Sequence, residues 1–278
     1  MIDVQRMDRH IDGWFDEDIG SGDLTTELMI EAGASGRFRM VPREPLVVAG
    51  LPVVERIFRR RDPRINVVQH LRDGEAAGPG AWLVTVEGPV RPILTAERVA
   101  LNLVQRLSSI ATETARYVAA VEGTGAVVVD SRHTTPGLRV LEKYAVTCGG
   151  GRNHRLALDG GILLASSRAA ALGGIAAAVA KARPVAPLLT RIGVECDTLD
   201  HVAAAIEAGA DLVMLDMEDA AMREAVRIVA GRAIVGCFGN VTLDTIRAKA
   251  ETGVDVVSVN RLTQSPPMVE IVLDEALA

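Results

Sequence analysis

Cysteine is scarce in this sequence. Cys148, Cys196 and Cys237 are its only three, odd in number, widely spaced and without a C-x-x-C pair. That pattern argues against a disulfide scaffold and predicts reduced thiols in a cytoplasmic protein. Aromatic residues make up only 3% of the chain, and basic residues are outnumbered by acids, 30 to 36, for a net charge of −6. A nucleic-acid binder would need a basic stripe and stacking aromatics, so nucleic acid is not an expected partner. Long apolar runs are also missing. The longest, Ala169 to Ala180, covers 12 residues between Arg168 and Lys181, short of the roughly 20 needed to span a bilayer. The opening residues are polar and acidic, unlike a secretory leader, and no membrane association is expected. With a net negative chain, an anionic small substrate would have to be met by a local cluster of arginines.

What is present is ordinary globular material: 278 residues, 49% apolar and 24% charged. The length accommodates one α/β domain with a smaller companion. The first hundred residues mix short elements. Helical spacing covers Val4 to Phe15 and Pro52 to Arg60. Strand-like runs cover Ser35 to Val41, Leu46 to Val48, Asn66 to His70 and Ala81 to Gly88, punctuated by glycine and proline. From Thr95 to Val121 apolar residues recur at steps of three and four, which predicts a long helix.

Beyond it, continuous apolar runs alternate with Ala-rich helical stretches such as Leu199 to Ala208 and Asp219 to Ala230. The runs are Ala126 to Val129, Ile162 to Leu164, Leu189 to Val194, Leu212 to Leu215, Ala233 to Val235 and Val254 to Val259. Unbroken apolar runs suit parallel strands buried on both faces. The residues just past them are Asp130, Ala165, Glu195, Asp216, Cys237 and Asn260, the last four spaced by 21, 21 and 23 residues. Such a repeat predicts an incomplete (β/α) barrel, whose chemistry sits at the C-terminal ends of the strands.

The densest polar stretch runs from Asp130-Ser131-Arg132-His133-Thr134-Thr135-Pro136-Gly137-Leu138-Arg139 to Gly149-Gly150-Gly151-Arg152-Asn153-His154-Arg155. Four arginines and two histidines around a triple glycine offer guanidinium forks and backbone N–H groups to carboxylates or phosphates.

These residues resemble the D-T-R-K-T-x-P-G-L-R, K-Y-A-V and G-G-G-x-N-H-R segments of the quinolinate phosphoribosyltransferase family. Further matching segments are Glu17-Asp18 with Gly22-Asp23-Leu24-Thr25-Thr26, Thr95-Ala96-Glu97-Arg98, Ser109-Ile110-Ala111-Thr112, Val194-Glu195, Met214-Leu215-Asp216 and Thr252-Gly253-Val254-Asp255. The resemblance implies an α/β protein with an N-terminal α+β sandwich, 1–104, on which 265–278 pack back, and a C-terminal open (β/α) barrel, 105–264. It implies transfer of phosphoribose from phosphoribosyl pyrophosphate to the ring nitrogen of an aromatic acid, with Mg2+ as cofactor. With quinolinate the products would be nicotinate mononucleotide, CO2 and pyrophosphate. It also implies a homodimer in which Arg98 enters the neighbour's site. Arg132 and Arg155 would grip the acid, with His133, Thr134 and His154 beside them. Glu195 and Asp216 would serve as catalytic groups facing the ribose and the Mg2+ shell. Arg168, Gly239, Asn240, Asn260 and Arg261 would complete the substrate site.

The departures from the family pattern gather in this site. The lysine after the motif arginine is His133, and K-D-N-H becomes Ala165-Ser166-Ser167-Arg168. The S-G-G phosphate segment becomes Phe238-Gly239-Asn240, and the glycine of the next loop becomes Asn260. Two charge-stabilising lysines are therefore replaced, each worth about 3–4 kcal/mol at a transition state when preorganised. Phosphate is expected at the start of a helix following Gly239. The mixture of kept arginines and lost lysines predicts an acid that differs from quinolinate. An aromatic-acid decarboxylase or lyase, or a catalytically impaired binding protein, remains as an alternative.

Overall fold

The computed structural model describes residues 7–275. The helix expected from Val4 therefore begins outside the described residues. The chain divides into two compact units: 1–113, 140–150 and 266–278 form the first, and 114–139 with 151–265 form the second.

In chain order the first elements are α1 (Asp8–Ile19), α2 (Leu24–Met29), β1 (Ser35–Pro42), β2 (Leu46–Val47), α3 (Leu51–Arg61), β3 (Asn66–Gln69), β4 (Ala76–Ala77), β5 (Val84–Pro89) and α4 (Val90–Ala120). Next come β6 (Val127–Val129), α5 (Arg139–Cys148), β7 (Ile162–Leu164), α6 (Ser166–Ala171), α7 (Ile175–Ala182), β8 (Ile192–Cys196), α8 (Leu199–Glu207) and β9 (Leu212–Leu215). The chain closes with α9 (Asp219–Val229), β10 (Ile234–Cys237), α10 (Ile246–Ala250), β11 (Val256–Ser258), α11 (Arg261–Gln264) and β12 (Ile271–Glu275).

The first unit is built on an antiparallel sheet of order β12-β1-β5-β3. Met40, Val84 and Val86 turn inward from it toward a core that includes Val54, Ile57 and Phe58 of α3. Burial is continuous at Val84, Thr85 and Val86 of β5 and at Met40, Val41 and Pro42 of β1, and exposure is confined to the other ends of these strands. Asp8 and Asp12 on α1 pair with Arg56 and Arg60 on α3 at 2.6 and 2.8 Å. Asp23 caps α2, its carboxylate accepting from Thr26 N at 3.0 Å and from the Thr95 hydroxyl at 2.9 Å. The strand expected from Ala81 starts only at Val84.

The second unit holds a six-stranded sheet, all parallel, of order β6-β11-β10-β9-β8-β7. Its strands carry buried Val128, Val194, Val213, Leu215, Val235 and Val257, which accounts for their unbroken apolar runs. Helices α7 and α8 pack against β8, and α9 packs against α8, in the manner of a (β/α) barrel. The barrel is open, with β6 and β7 at its two edges. Arg152 adds one parallel bridge beside Val129, its N–H donating to Val128 O at 2.9 Å and its carbonyl accepting from Asp130 N at 3.0 Å. That crossing lays residues 152–155 along the open edge.

Two expectations are corrected here. The run from Leu189 becomes a strand only at Ile192, because Pro184 and Pro187 keep the preceding segment irregular and leave Leu188 and Leu189 98% and 95% exposed. The polar stretch 130–155 is interrupted by α5, which belongs to the first unit and buries Lys143 and Glu142, so those charges are not loop donors. Among the described residues no helix is long and apolar enough to cross a membrane.

Candidate active site

A cavity of about 420 Å3 opens at the C-terminal ends of the barrel strands, a volume suited to a small organic ligand. Its lining begins with Ser131, Arg132 and His133, directly after β6. His154 and Arg155 follow from the crossing along the open edge. Leu163, Glu195, Met214, Phe238, Ser258 and Asn260 come from the ends of β7 to β11. The first unit carries a groove of about 330 Å3 that includes Asp18 and Asp23 and no basic residue. It does not suit an anionic ligand.

The buried carboxylate of Asp130 organises the cationic side. It accepts from Asn153 Nδ2 at 2.8 Å and from the His154 backbone N–H at 2.9 Å, and the Asp130 carbonyl accepts from the Ser258 hydroxyl at 3.2 Å. These bonds fix the segment that carries His154 and Arg155. Arg155 donates to Gly161 O at 2.8 Å. Burial, together with the like charges of Arg132 and Arg168, holds its guanidinium below the usual arginine range, while Glu195 acts in the opposite sense. Three guanidiniums and one carboxylate are thus within electrostatic reach of one another.

Arg132 contributes the most specific signal. Its Nε is buried and has no hydrogen-bond partner. A buried unsatisfied donor in a cavity wall costs about 1–3 kcal/mol and points to an anionic or acceptor ligand. His133 is tied to Ser131, its Nδ1 lying 3.0 Å from the Ser131 hydroxyl, and its carbonyl accepts from the Thr263 hydroxyl at 2.7 Å. Thr134 accepts from Arg139 Nε at 3.0 Å and shapes the loop rather than facing the cavity.

Glu195 is the next-to-last residue of β8 and stands in register with Met214 on β9. Burial is the main cause that raises its pKa above the usual carboxylate range. Asp197 and Asp216 add to the shift, and Arg155 and Arg168 oppose it. Asp216 is exposed and sits against Gly239. A Cβ at Gly239 would lie 2.5 Å from Asp216 Oδ1, and Gly239 has φ +103°, so only glycine fits there.

Arg168, Arg261, Asn240 and Arg98 are not among the residues that line the cavity, although Arg168 acts electrostatically on Arg155 and Glu195. Arg168 lies on α6 and Arg261 on α11, both exposed, and Asn240 is exposed beside Gly239. Arg98 is exposed on α4 in the first unit. The helix expected directly after Gly239 is not there. The chain turns through Thr242 and Thr245, and α10 starts only at Ile246 and lasts five residues. No helix N-terminus therefore serves the Gly239 loop.

Ser131, Leu163, Met214, Phe238 and Ser258 were not expected as site residues. Their signal lay in strand register: Ser258 ends a strand, Ser131 and Phe238 follow one, and Leu163 and Met214 stand one residue before a strand's end. Among the described residues no cluster of three or more His, Cys, Asp or Glu is arranged to hold a metal on its own.

The model of the quinolinate phosphoribosyl transferase N-terminal domain matches residues 23–108, and that of the C-terminal domain matches residues 110–274. The chain belongs to the quinolinate phosphoribosyltransferase family. A probable nicotinate-nucleotide pyrophosphorylase [carboxylating] of Synechocystis is 40% identical, over 94% of this chain and 90% of its own length. The nicotinate-nucleotide pyrophosphorylase [carboxylating] of Mycobacterium leprae is 39% identical, over 93% of each chain. Among solved structures, NadC from Streptococcus pyogenes superposes with a TM-score of 0.95 at 34% identity, covering 99% of this chain and 97% of its own. The two-domain architecture of the family, an N-terminal domain with an antiparallel sheet and a C-terminal open barrel, is the architecture of this chain.

Proposed function

We propose that the protein transfers a phosphoribosyl group from phosphoribosyl pyrophosphate to the ring nitrogen of an aromatic acid, releasing pyrophosphate. If the acid is quinolinate, as the family name of its relatives indicates, CO2 is also lost. The observation that carries the reading is the buried, unpartnered Arg132 Nε beside Arg155 at the mouth of a family barrel.

In this reading Arg132 and Arg155 hold the acid's carboxylate by charge-assisted hydrogen bonds, which orients the ring in the cavity. The C1–O bond to pyrophosphate breaks, its electron pair leaves with pyrophosphate, and the ring-nitrogen lone pair forms the new bond to C1. Glu195 stabilises the positive charge that develops on the ribose. Arg168, exposed near the mouth, is available to the donor's phosphates.

Mg2+ is part of the proposal. Glu195 and Asp216 offer oxygen atoms from neighbouring strands, the ligand type this ion takes, and their mutual repulsion is the condition a cation relieves. Two carboxylates with water and substrate phosphates meet its needs without a third protein ligand. When bound, the ion supplies neutralisation of charge on the departing pyrophosphate. A homodimer in which Arg98 completes the partner's site belongs to the same reading.

The test is pyrophosphate release by the purified protein with phosphoribosyl pyrophosphate, Mg2+ and a panel of pyridine carboxylic acids. Acid-dependent release that is lost in Arg132→Ala supports the reading, and no release with any acid refutes it. The gap between Gly239 and the start of α10 at Ile246 favours a second reading, an aromatic-acid decarboxylase without a sugar-phosphate donor. Calorimetric binding of phosphoribosyl pyrophosphate separates the two.

A further inference from the structure

Arg132 stands on a stretch that forms no helix or strand between β6 and α5. A guanidinium on such a stretch is aimed only as well as the backbone beneath it is held. Part of that hold comes from the neighbouring strand. β6 and β11 are parallel, and Val127, Val128 and Val129 pair with Val256, Val257 and Ser258. Beyond the last pair, Val259 N–H donates to Val129 O at 2.9 Å, the Ser258 hydroxyl to Asp130 O at 3.2 Å and the Thr263 hydroxyl to His133 O at 2.7 Å. The carbonyls of Asp130 and His133 bracket Arg132 along the chain.

The two hydroxyls differ in what they can reach. Ser258 lines the cavity. Thr263 is wholly buried on α11 and is not part of the lining, so it does not touch a molecule bound there. A backbone carbonyl only accepts, so Thr263 is the donor. The bond acts on the backbone of His133 and is independent of the side chain that stands where the family pattern has lysine. α11 begins directly after Asn260, which is itself in the cavity wall. One buried hydroxyl thus fastens the Arg132 stretch to the segment after Asn260, at a point where both chains have run past the ends of their strands.

We propose that Thr263 is a positioning residue for the acid. It latches the chain at His133 and so holds Arg132, whose buried Nε has no hydrogen-bond partner of its own, in the cavity wall. The latch rests on geometry within the barrel unit, and the ligand it serves rests on the transferase reading.

Thr263→Val keeps the side-chain shape and removes the donor, whereas Thr263→Ser keeps the donor and gives up a methyl group. Thr263→Ala repeats the first test without a branched side chain to accommodate. Hydrogen exchange of the peptide spanning 130–139, read on the full-length protein without ligand, is expected to quicken about tenfold in Thr263→Val and to stay near wild type in Thr263→Ser. Calorimetric affinity for pyridine-2,3-dicarboxylate is expected to fall about tenfold in Thr263→Val and less than about threefold in Thr263→Ser. In an Arg132→Ala background, with the acid at millimolar concentration, Thr263→Val is expected to add less than about threefold, because the group it positions is gone. Unchanged exchange, no rescue by serine, or equal losses of affinity with and without Arg132 overturns the proposal. Quickened exchange that serine reverses, in a protein that releases no pyrophosphate with any acid, upholds the latch and refutes the transferase reading.

Discussion

The buried carboxylate of Asp130 accepts the backbone N–H of His154 at 2.9 Å, while its other oxygen takes the Asn153 amide at 2.8 Å. Both partners are donors, so both oxygens must be acceptors. Asp130→Asn turns one of them into an NH2 group that faces a donor. The expected cost is about 1–3 kcal/mol in urea unfolding. Because the same bonds fix Arg155, kcat/KM is expected to fall on the order of 10- to 100-fold. Unfolding curves and steady-state kinetics on one preparation check both.

Gly239 sits against Asp216 in a left-handed backbone conformation that favours glycine. Gly239→Ala places a methyl group 2.5 Å from Asp216 Oδ1 at a φ of +103°. The backbone strain is expected to cost about 1–3 kcal/mol. The displaced carboxylate is expected to raise the Mg2+ concentration needed for half-maximal activity, which a metal titration reads directly.

Arg155→Lys keeps a positive charge and loses the planar fork. The bond to Gly161 O and a two-pronged grip on a carboxylate cannot both be made by one ammonium. The KM for the acid is expected to rise about tenfold or more, with a smaller change in the KM for phosphoribosyl pyrophosphate. Initial rates with each substrate varied in turn separate these effects.

Asp23 provides a pH-dependent prediction in the first unit. Hydrogen bonds from Thr26 and Thr95 hold its pKa below the usual aspartate value. A lowered native pKa means that its contribution is present above the unfolded-state value and is lost as pH falls through the native one. Asp23→Ala is expected to lower stability by about 1 kcal/mol at neutral pH. Thermal melts across pH should show the gap between variant and wild type closing as acid is added below the ordinary aspartate pKa.

Arg98 gives a test of assembly. If it acts in a neighbouring copy, Arg98→Ala and Arg155→Ala should each be inactive alone. Mixed after unfolding and refolding together, they form dimers of which half are mixed, each with one intact site. Recovery of about a quarter of the wild-type activity is expected for this arrangement. No recovery from two well-folded, inactive partners would place Arg98 in the site of its own subunit, and an active Arg98→Ala would place it outside catalysis.

The parallel sheet was legible because its strands are buried on both faces and read as unbroken apolar runs, Leu212 to Leu215 and Ile162 to Leu164 matching to the residue. Elements without a continuous or periodic apolar run were not. Among them α2 carries three exposed apolar side chains, Leu24, Leu28 and Met29, and β4 has two residues. Residue identity pointed to Arg132, His154, Arg155, Glu195 and Asn260, which the fold gathers at one cavity. It could not show the facing of Leu163, Met214 and Phe238, since an apolar strand residue looks the same whether it meets core or ligand. Nor could it separate Arg168 and Arg261, which stand in solvent, from the two arginines in the wall.

The strand β12, residues Ile271–Glu275, pairs antiparallel with β1 from Phe38 to Pro42. The edge of the first sheet is thus supplied by residues made more than two hundred positions after their partner. A nascent chain reaches the ribosome exit with its barrel strands already synthesised while that edge is still open, so the segment translated first is among the last to be finished. Trimming the tail should leave an exposed strand template that recruits other chains.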